Sequence, residues 1–225
     1  MVHALIVRQK TTKNPDVINP DTIKSESIAR LREWGFPVIE HLPTLETPDE
    51  LSPPNAHSVA RRCMVMSHVM GIGFGGSASE LYAALGRWEL LPYASDEEVR
   101  LLTSQRHTDQ EKINLTWLTE CMQSFAWCLG LSELDCFKPC DDDLASRFPD
   151  PFADPSGFIE TATLRPFDEI YRMADLHYRL HWAARQSRLM AGDFPISEGF
   201  VRERRKALDW VIGVEPNWDE VPSDT

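Results

Sequence analysis

The sequence has few basic residues and no long run of apolar ones, and each shortage excludes a class of protein. Its 225 residues include 23 lysines and arginines against 35 aspartates and glutamates, so the formal net charge is −12 at pH 7. Nucleic acids and anionic membranes select basic protein faces, and neither is expected as a partner. The longest apolar run, residues 63–74, is interrupted by Ser67 and His68. It is shorter than the roughly 20 residues that cross a bilayer.

Cysteine is also scarce, with five residues that cannot all be paired within one chain. They are Cys63, Cys121, Cys128, Cys136 and Cys140. The first three fall within predicted helices, which is typical of reduced core thiols in a cytoplasm rather than of a disulfide framework. The N-terminal residues lack the basic start and the apolar length of a secretory signal. We therefore expect a cytoplasmic protein.

Motifs of catalysis and of metal binding are missing as well. There is no Gly-x-Ser-x-Gly elbow, no His-Glu-x-x-His pair and no Cys-x-x-Cys pair. The glycine-rich residues 71–76 follow a predicted helix rather than a strand and lack the Lys-Ser/Thr of a phosphate loop, so we interpret them as a helix terminator. Cys136 and Cys140 lack two further ligands. No metal and no cofactor are expected.

Helical periodicity dominates the remaining chain and predicts a mainly α fold. The predicted longer helices cover residues 25–34, 55–70, 109–129, 166–190 and 199–212. Three Ser/Thr-x-x-Glu pairs predict capping boxes at helix starts. These pairs are Ser77 with Glu80, Ser95 with Glu98, and Thr108 with Glu111. The helix at 55–70 is apolar nearly all round, which indicates a central position.

The same patterns predict a single helical domain, residues 23–218. Residues 1–22 are expected to form a short β-strand (2–8) and a turn that pack on it, and residues 219–225 a loose acidic tail. Residues 132–159 are rich in proline and aspartate. That composition fits either a boundary or a long surface excursion.

Several helices place charged or imidazole groups where an amphipathic helix should bury hydrocarbon. At about 100° per residue, the predicted inward positions on three helices hold His177, His181, Arg188, Asn114 and Arg204, with Arg185, Glu120 and Glu203 at their borders. Arg61 and Arg62 are the charges of the central helix. Burying such groups costs several kcal/mol unless they are paired and hydrogen-bonded. An internal polar cluster is therefore expected.

Charge matching suggests how this cluster closes. Glu120 and Glu203 are the natural partners of Arg185, Arg204 and one of Arg61 or Arg62, with His181 and Asn114 completing hydrogen bonds. One interpretation is a structural network that fixes helix register. The other is a site in which His181 acts as acid or base, Glu120 or Glu203 is the carboxylate, and the arginines hold an anion.

The inward-facing residues also carry a resemblance to a family. The segments are Gly35-Phe-Pro-Val38, Asn114-Leu-Thr-Trp117, Ala126-Trp-Cys-Leu-Gly130, Tyr178-Arg-Leu-His-Trp-Ala-Ala-Arg185 and Glu203-Arg204. They resemble the bacterial domain of unknown function 4272 family over residues 23–218. This resemblance implies one mainly helical domain and brings no activity, substrate or catalytic residue. The chain departs from the family at His57-Ser-Val-Ala-Arg61, where the helix usually opens with an acidic residue.

Two function classes follow from these observations. The acidic charge and the missing catalytic motifs favour a non-enzymatic interaction protein, for example one that neutralises a basic protein as bacterial immunity proteins do. The alternative is an enzyme or a small-anion-binding protein that uses the His/Arg/Glu cluster in a pocket between helices.

Overall fold

A computed structural model describes residues 18–190, 195 and 197–223 of the chain. The strand predicted at residues 2–8 lies outside these residues and stays a prediction. Residues 219–221 of the predicted loose tail are packed: Asp219 accepts hydrogen bonds from the Ser95 hydroxyl and the Glu97 amide, and Val221 is buried. These contacts tie the C-terminal segment to a helix far away in sequence.

The described residues form α-helices joined by loops and short 3₁₀ turns, and within them there is no strand. The mainly α prediction is confirmed. The helices are α1 (Pro20–Glu33), α2 (Ala56–Gly73), α3 (Ala78–Arg87), α4 (Asp96–Thr103), α5 (Asp109–Thr116), α6 (Leu118–Cys128), α7 (Ser156–Thr161), α8 (Phe167–Leu189) and α9 (Glu198–Ile212). None of these described helices is apolar over a length sufficient to span a membrane.

Two of the three predicted capping boxes form. At the start of α4, Ser95 and Glu98 each bond the other's backbone amide, and Thr108 with Glu111 does the same at α5. The box predicted at Ser77 is absent, although Ser77 does precede α3. Its hydroxyl lies 3.1 Å from that of Ser79 instead of capping a backbone amide. Local hydroxyl pairing has replaced the cap there.

The helix predicted at 109–129 is broken at Trp117 into α5 and α6. Threonine hydroxyls on both sides of the break donate to backbone carbonyls: Thr116 to Ile113 at 2.7 Å and Thr119 to Thr116 at 2.8 Å. Such bonds compete with the regular helical ladder. The break turns the α5 face toward solvent, so Ile113 is 51% and Trp117 40% exposed.

The core forms where α2, α6, α8 and α9 meet. The closest packed pairs are α8 with α9 and α6 with α9, while α2 contacts α3, α5, α6 and α7. Most residues of α2 are buried, which confirms its predicted central position. A side chain at Gly73 would lie 2.9 Å from the Lys112 carbonyl, so α2 and α5 approach as closely as only glycine permits.

Gly213 ends α9 at a point where the backbone is both left-handed and crowded. Its φ is +86°, its carbonyl accepts the Ser52 amide at 3.2 Å, and a Cβ there would lie 2.2 Å from the Ser52 carbonyl carbon. Gly35 after α1 has a similar φ of +76°, but nothing lies within 4 Å of its Cβ position.

These two glycines form a matched pair for a stability measurement. Gly35→Ala should cost the strain of a left-handed residue, about 1–2 kcal/mol. Gly213→Ala should destabilise by about 1–3 kcal/mol more, because the loop at Ser52 must also move. Urea unfolding measures both variants. Equal losses would show that α9 does not end against that loop.

Candidate functional site

The described interior contains four arginines at least nine-tenths buried, and each pairs with a buried carboxylate. The pairs are Arg62–Glu98, Arg179–Asp175, Arg204–Glu120 and Arg205–Asp209. Their formal charges cancel, and the residues outside the described ranges carry three basic and three acidic side chains. The net charge of −12 therefore lies on described side chains that are partly or fully exposed.

The Arg204–Glu120 pair joins α9 to α6, as charge matching predicted. Arg204 Nε donates to Glu120 Oε2 at 2.9 Å, and both side chains are almost fully buried. The other guanidinium nitrogens donate to backbone carbonyls, Nη1 to Asp135 at 2.6 Å and Nη2 to Lys138 at 2.8 Å. Glu120 Oε1 accepts the Cys140 amide at 3.0 Å. The pair thus ties the chain after α6 to the two helices.

Other side chains hold the same stretch of chain, residues 131–155, which we call the acidic segment. Gln123, 2% exposed, donates to the Glu133 carbonyl at 2.8 Å and accepts the Asp141 amide at 3.0 Å. Arg147 donates to the Leu131 carbonyl at 2.6 Å. The segment overlaps the proline- and aspartate-rich residues 132–159, and its Leu134, Leu144 and Phe148 pack into the core. Apart from a 3₁₀ helix at Leu144–Arg147, its backbone is irregular, and side chains from α6 and α9 hold it in place.

The acidic segment turns its charge outward. It contains seven carboxylates against two basic residues, and all seven carboxylates are exposed. They are Glu133, Asp135, Asp141, Asp142, Asp143, Asp150 and Asp154. Among them lies Phe152, which is 50% exposed. The segment therefore presents a fixed negative surface with an apolar side chain within it.

His181 lies in a second polar group between α8 and α9. Its Nδ1 is 3.3 Å from Arg205 Nη1. A guanidinium can only donate, so Nδ1 accepts and the ring is neutral. Burial, followed by the nearby Arg205 charge, lowers the pKa of His181 to about 4. Arg205 also donates to Asp209 at 2.9 Å, while burial raises the pKa of that carboxyl.

His177 is buried at the same helix interface, as predicted. Its Nδ1 lies 3.0 Å from the Met173 carbonyl, and burial together with the Arg204 charge lowers its pKa to about 3. The predicted inward position of Arg188 is wrong. Its side chain is 61% exposed and pairs with Glu198. There α8 runs beyond its packing partners, since Leu189 and Met190 are also exposed.

The remaining predicted residues are dispersed. Arg185 is partly buried near His181, whose pKa its charge helps to lower. Glu203 is mostly buried, binds Arg202 at 2.8 Å, and accepts the Cys121 thiol at 3.5 Å. The predicted inward position of Asn114 is wrong, because the break at Trp117 leaves it exposed and bonded to Gln110. Arg61 lies over the Tyr93 ring at 5.0 Å.

Sequence reasoning missed three of the four buried pairs. Two of them, Asp175 with Arg179 and Arg205 with Asp209, stand four residues apart on one helix. That spacing was a usable signal. The third pair was missed because Glu98 had already been interpreted, correctly, as a capping residue. It caps α4 with Oε2 and binds Arg62 with Oε1. A capping residue can therefore also serve as a buried counter-ion.

The arrangement is saturated at Arg204, where all three guanidinium nitrogens donate to protein acceptors. Among the five main clefts of the described residues, two are lined by predicted residues: one of about 390 Å³ by Arg61, and one of about 270 Å³ by Arg62. Within the described ranges, no three His, Cys, Asp or Glu side chains converge as metal ligands would. These contacts join α6, α8 and α9 to one another and to the acidic segment.

Removing one member of the Arg204 pair should reveal its energetic role. Arg204→Met leaves the Glu120 charge and two backbone carbonyls buried without a donor, which we expect to cost about 3–5 kcal/mol. Arg202→Met, whose guanidinium is half exposed and bound to Glu203, should cost at most about 1 kcal/mol. Chemical denaturation compares them. Similar midpoints and slopes for both variants would contradict the burial of Arg204.

Three described histidines are buried, His68, His177 and His181, and folding lowers the pKa of each, so they should make stability depend on pH. An unfolded histidine binds its proton near pH 6.5, whereas folding lowers the pKa to about 4 for His181 and about 3 for His177. Their contribution is complete above pH 6.5 and declines as pH falls through the folded values, by up to about 1.4 kcal/mol per pH unit for each. Urea unfolding at stepped pH measures this slope.

A matched pair of variants isolates the histidine effect. His181→Gln removes one titrating group and should flatten the slope between pH 6.5 and about 4. His57→Gln changes an exposed imidazole and should leave the slope as it is. If both variants keep the slope of the original protein, His181 is not held neutral in the fold.

Comparison with known proteins bears on the family alone. Neither the curated proteins nor the solved structures contain a significant match to the chain. A family model described as a domain of unknown function, DUF4272, matches residues 23–221, nearly the whole chain. It runs from the first turn of α1 through α9, so it includes all four buried ion pairs and the acidic segment. The chain therefore belongs to the DUF4272 family.

Proposed function

We propose that the protein is a cytoplasmic, non-enzymatic binding protein that receives a basic protein partner on its acidic segment. The observation that carries this proposal is the segment itself, an irregular stretch held by buried side chains while all seven of its carboxylates face solvent. Irregular segments positioned by a rigid scaffold are where binding residues concentrate.

Pre-organisation makes such a surface effective. A loop that is already ordered loses little conformational freedom on association, so more of the contact energy contributes to affinity. Arg204, Glu120 and Gln123 supply that order from the interior. Most of their polar groups bind the segment's backbone, and its acidic side chains stay exposed to solvent.

The charge distribution supports the same proposal. Buried charges cancel in pairs, so the surface carries the excess of acidic groups and produces a negative field around the molecule. Such a field accelerates encounter with a basic protein, and the effect weakens as salt rises. Phe152, half exposed among the carboxylates, offers an apolar contact of the kind that anchors interfaces. A basic toxin of the kind that immunity proteins neutralise would fit this surface.

The contacts of His181 and Arg204 support structural rather than catalytic roles. His181 accepts from a buried guanidinium, and the three nitrogens of Arg204 are bound to protein acceptors. The five free cysteines, four of them buried, are compatible with the proposed cytoplasmic setting. Burial raises the pKa of Cys63, Cys121 and Cys128, so these thiols stay protonated.

An affinity capture from the native host tests the proposal at low and at high salt. The acidic-segment variant is Glu133→Gln, Asp142→Asn and Asp150→Asn, which keeps the acceptor oxygen that bonds the Phe152 amide. The control removes three exposed charges elsewhere, at Glu33, Asp49 and Glu89. We expect the original protein and the control to retain a basic protein at low salt and to release it at high salt.

The acidic-segment variant should retain at least about tenfold less of that partner. Mass spectrometry identifies the captured protein and gives its charge. The proposal is wrong if the captured partners are not basic, or if the two triple variants retain the same amount.

A further inference from the structure

A different part of the molecule carries the largest of the described clefts, with a volume of about 850 Å³. It lies between the end of α2, the start of α3 and the loop that joins α4 to α5. Its walls are Ile72, residues 75–79, Tyr82, residues 102–107 and Lys112. The volume falls in the range of small-molecule sites, about 300–1,000 Å³.

The charged walls of this cleft are of one sign. Arg106 and Lys112 line it together with His107, and it contains no carboxylate. The acids nearest in sequence do not line it, and Glu111 is instead bound to Arg100 at 3.1 Å. In a chain with a formal charge of −12, a large cleft whose charged lining residues are all basic is a local excess of positive charge.

Arg106 and Lys112 also differ from the other cations of the described residues. Every other lysine or arginine there makes a hydrogen bond, an ion pair, a ring contact or another interaction with the protein. For the side chains of Arg106 and Lys112 the described structure contains none. Both donors are therefore free, and both face the same cleft.

Backbone donors reach the cleft from its other side. The ten-residue helix α3 begins there, and the Ser77 hydroxyl is turned to Ser79 rather than to a backbone amide. Uncapped amides and the helix dipole together favour an anion at such a position. They add to the attraction of the two free cations, on which the inference rests.

We propose that this cleft binds a small organic phosphomonoester. Arg106 and Lys112, with the first amides of α3, would hold the phosphate, because charge-assisted bonds to phosphate oxygens are the strong ones. Ile72, Tyr82 and Leu102 supply an apolar wall for the carbon part of the ligand. The site is separate from the acidic segment, and it does not depend on the proposed basic partner.

Phenyl phosphate is the probe, titrated by calorimetry and by ¹⁵N amide shifts of the full-length protein. We expect saturable binding that shifts the amides of Ser79 and Glu80, with weaker binding of inorganic phosphate and none of phenol. Arg106→Gln with Lys112→Gln should weaken binding at least about tenfold, since each removes a charged donor. Both side chains are exposed, so unfolding temperature should stay unchanged.

The matched control is Arg87→Gln with Lys138→Gln, which removes two exposed cations that lie outside this cleft and should keep the affinity. The proposal is overturned if phenyl phosphate does not bind, if both double variants weaken binding equally, or if the shifted amides lie away from α3. Phenol binding as tightly as phenyl phosphate would overturn the phosphate role. If inorganic phosphate bound as tightly as phenyl phosphate, the proposal that the cleft also binds the carbon part of the ligand would be overturned.

Discussion

The contact between Arg204 and Glu120 is the constraint on which much of this structure depends. It joins α6 to α9 in the interior, and its remaining donors and acceptor hold the backbone of the following segment at Asp135, Lys138 and Cys140. Burying an arginine to this extent costs several kcal/mol unless its charge is paired with a carboxylate and hydrogen-bonded. The irregular chain after α6 supplies those acceptors, so the pair and the segment require each other.

The same rule explains how an acidic protein keeps a neutral interior. Each deeply buried arginine meets one carboxylate, and the buried histidines His177 and His181 are held uncharged. The excess of acidic groups consequently lies at the surface. The surface charge is unevenly distributed. The acidic segment contains seven exposed carboxylates, whereas the cleft beside α3 is lined by Arg106 and Lys112 and by no carboxylate. Two surfaces of opposite sign on one small protein favour two different kinds of ligand.

Pairing between helices was harder to predict than burial. The periodicity of α9 correctly predicted that Arg204 points inward, and that of α6 placed Glu120 at the border of its apolar face. Both positions follow from the apolar face of a single helix. Arg62 and Glu98 stand 36 residues apart, and no local pattern joins them. The predicted inward position of Asn114 was wrong for another reason: the predicted helix is interrupted at Trp117, where threonine hydroxyls bond backbone carbonyls, and α5 does not continue the buried face of α6.

The amino-acid sequence by itself determined the helical class, the central position of α2, the caps at Ser95 and Thr108, and family membership. These properties depend on the spacing of neighbouring residues, which any reader of the chain can measure. Tertiary structure decided which carboxylate each buried arginine meets and which cations are left without one. Those outcomes depend on how loops bring distant residues together, and loop paths are set by packing rather than by local propensity.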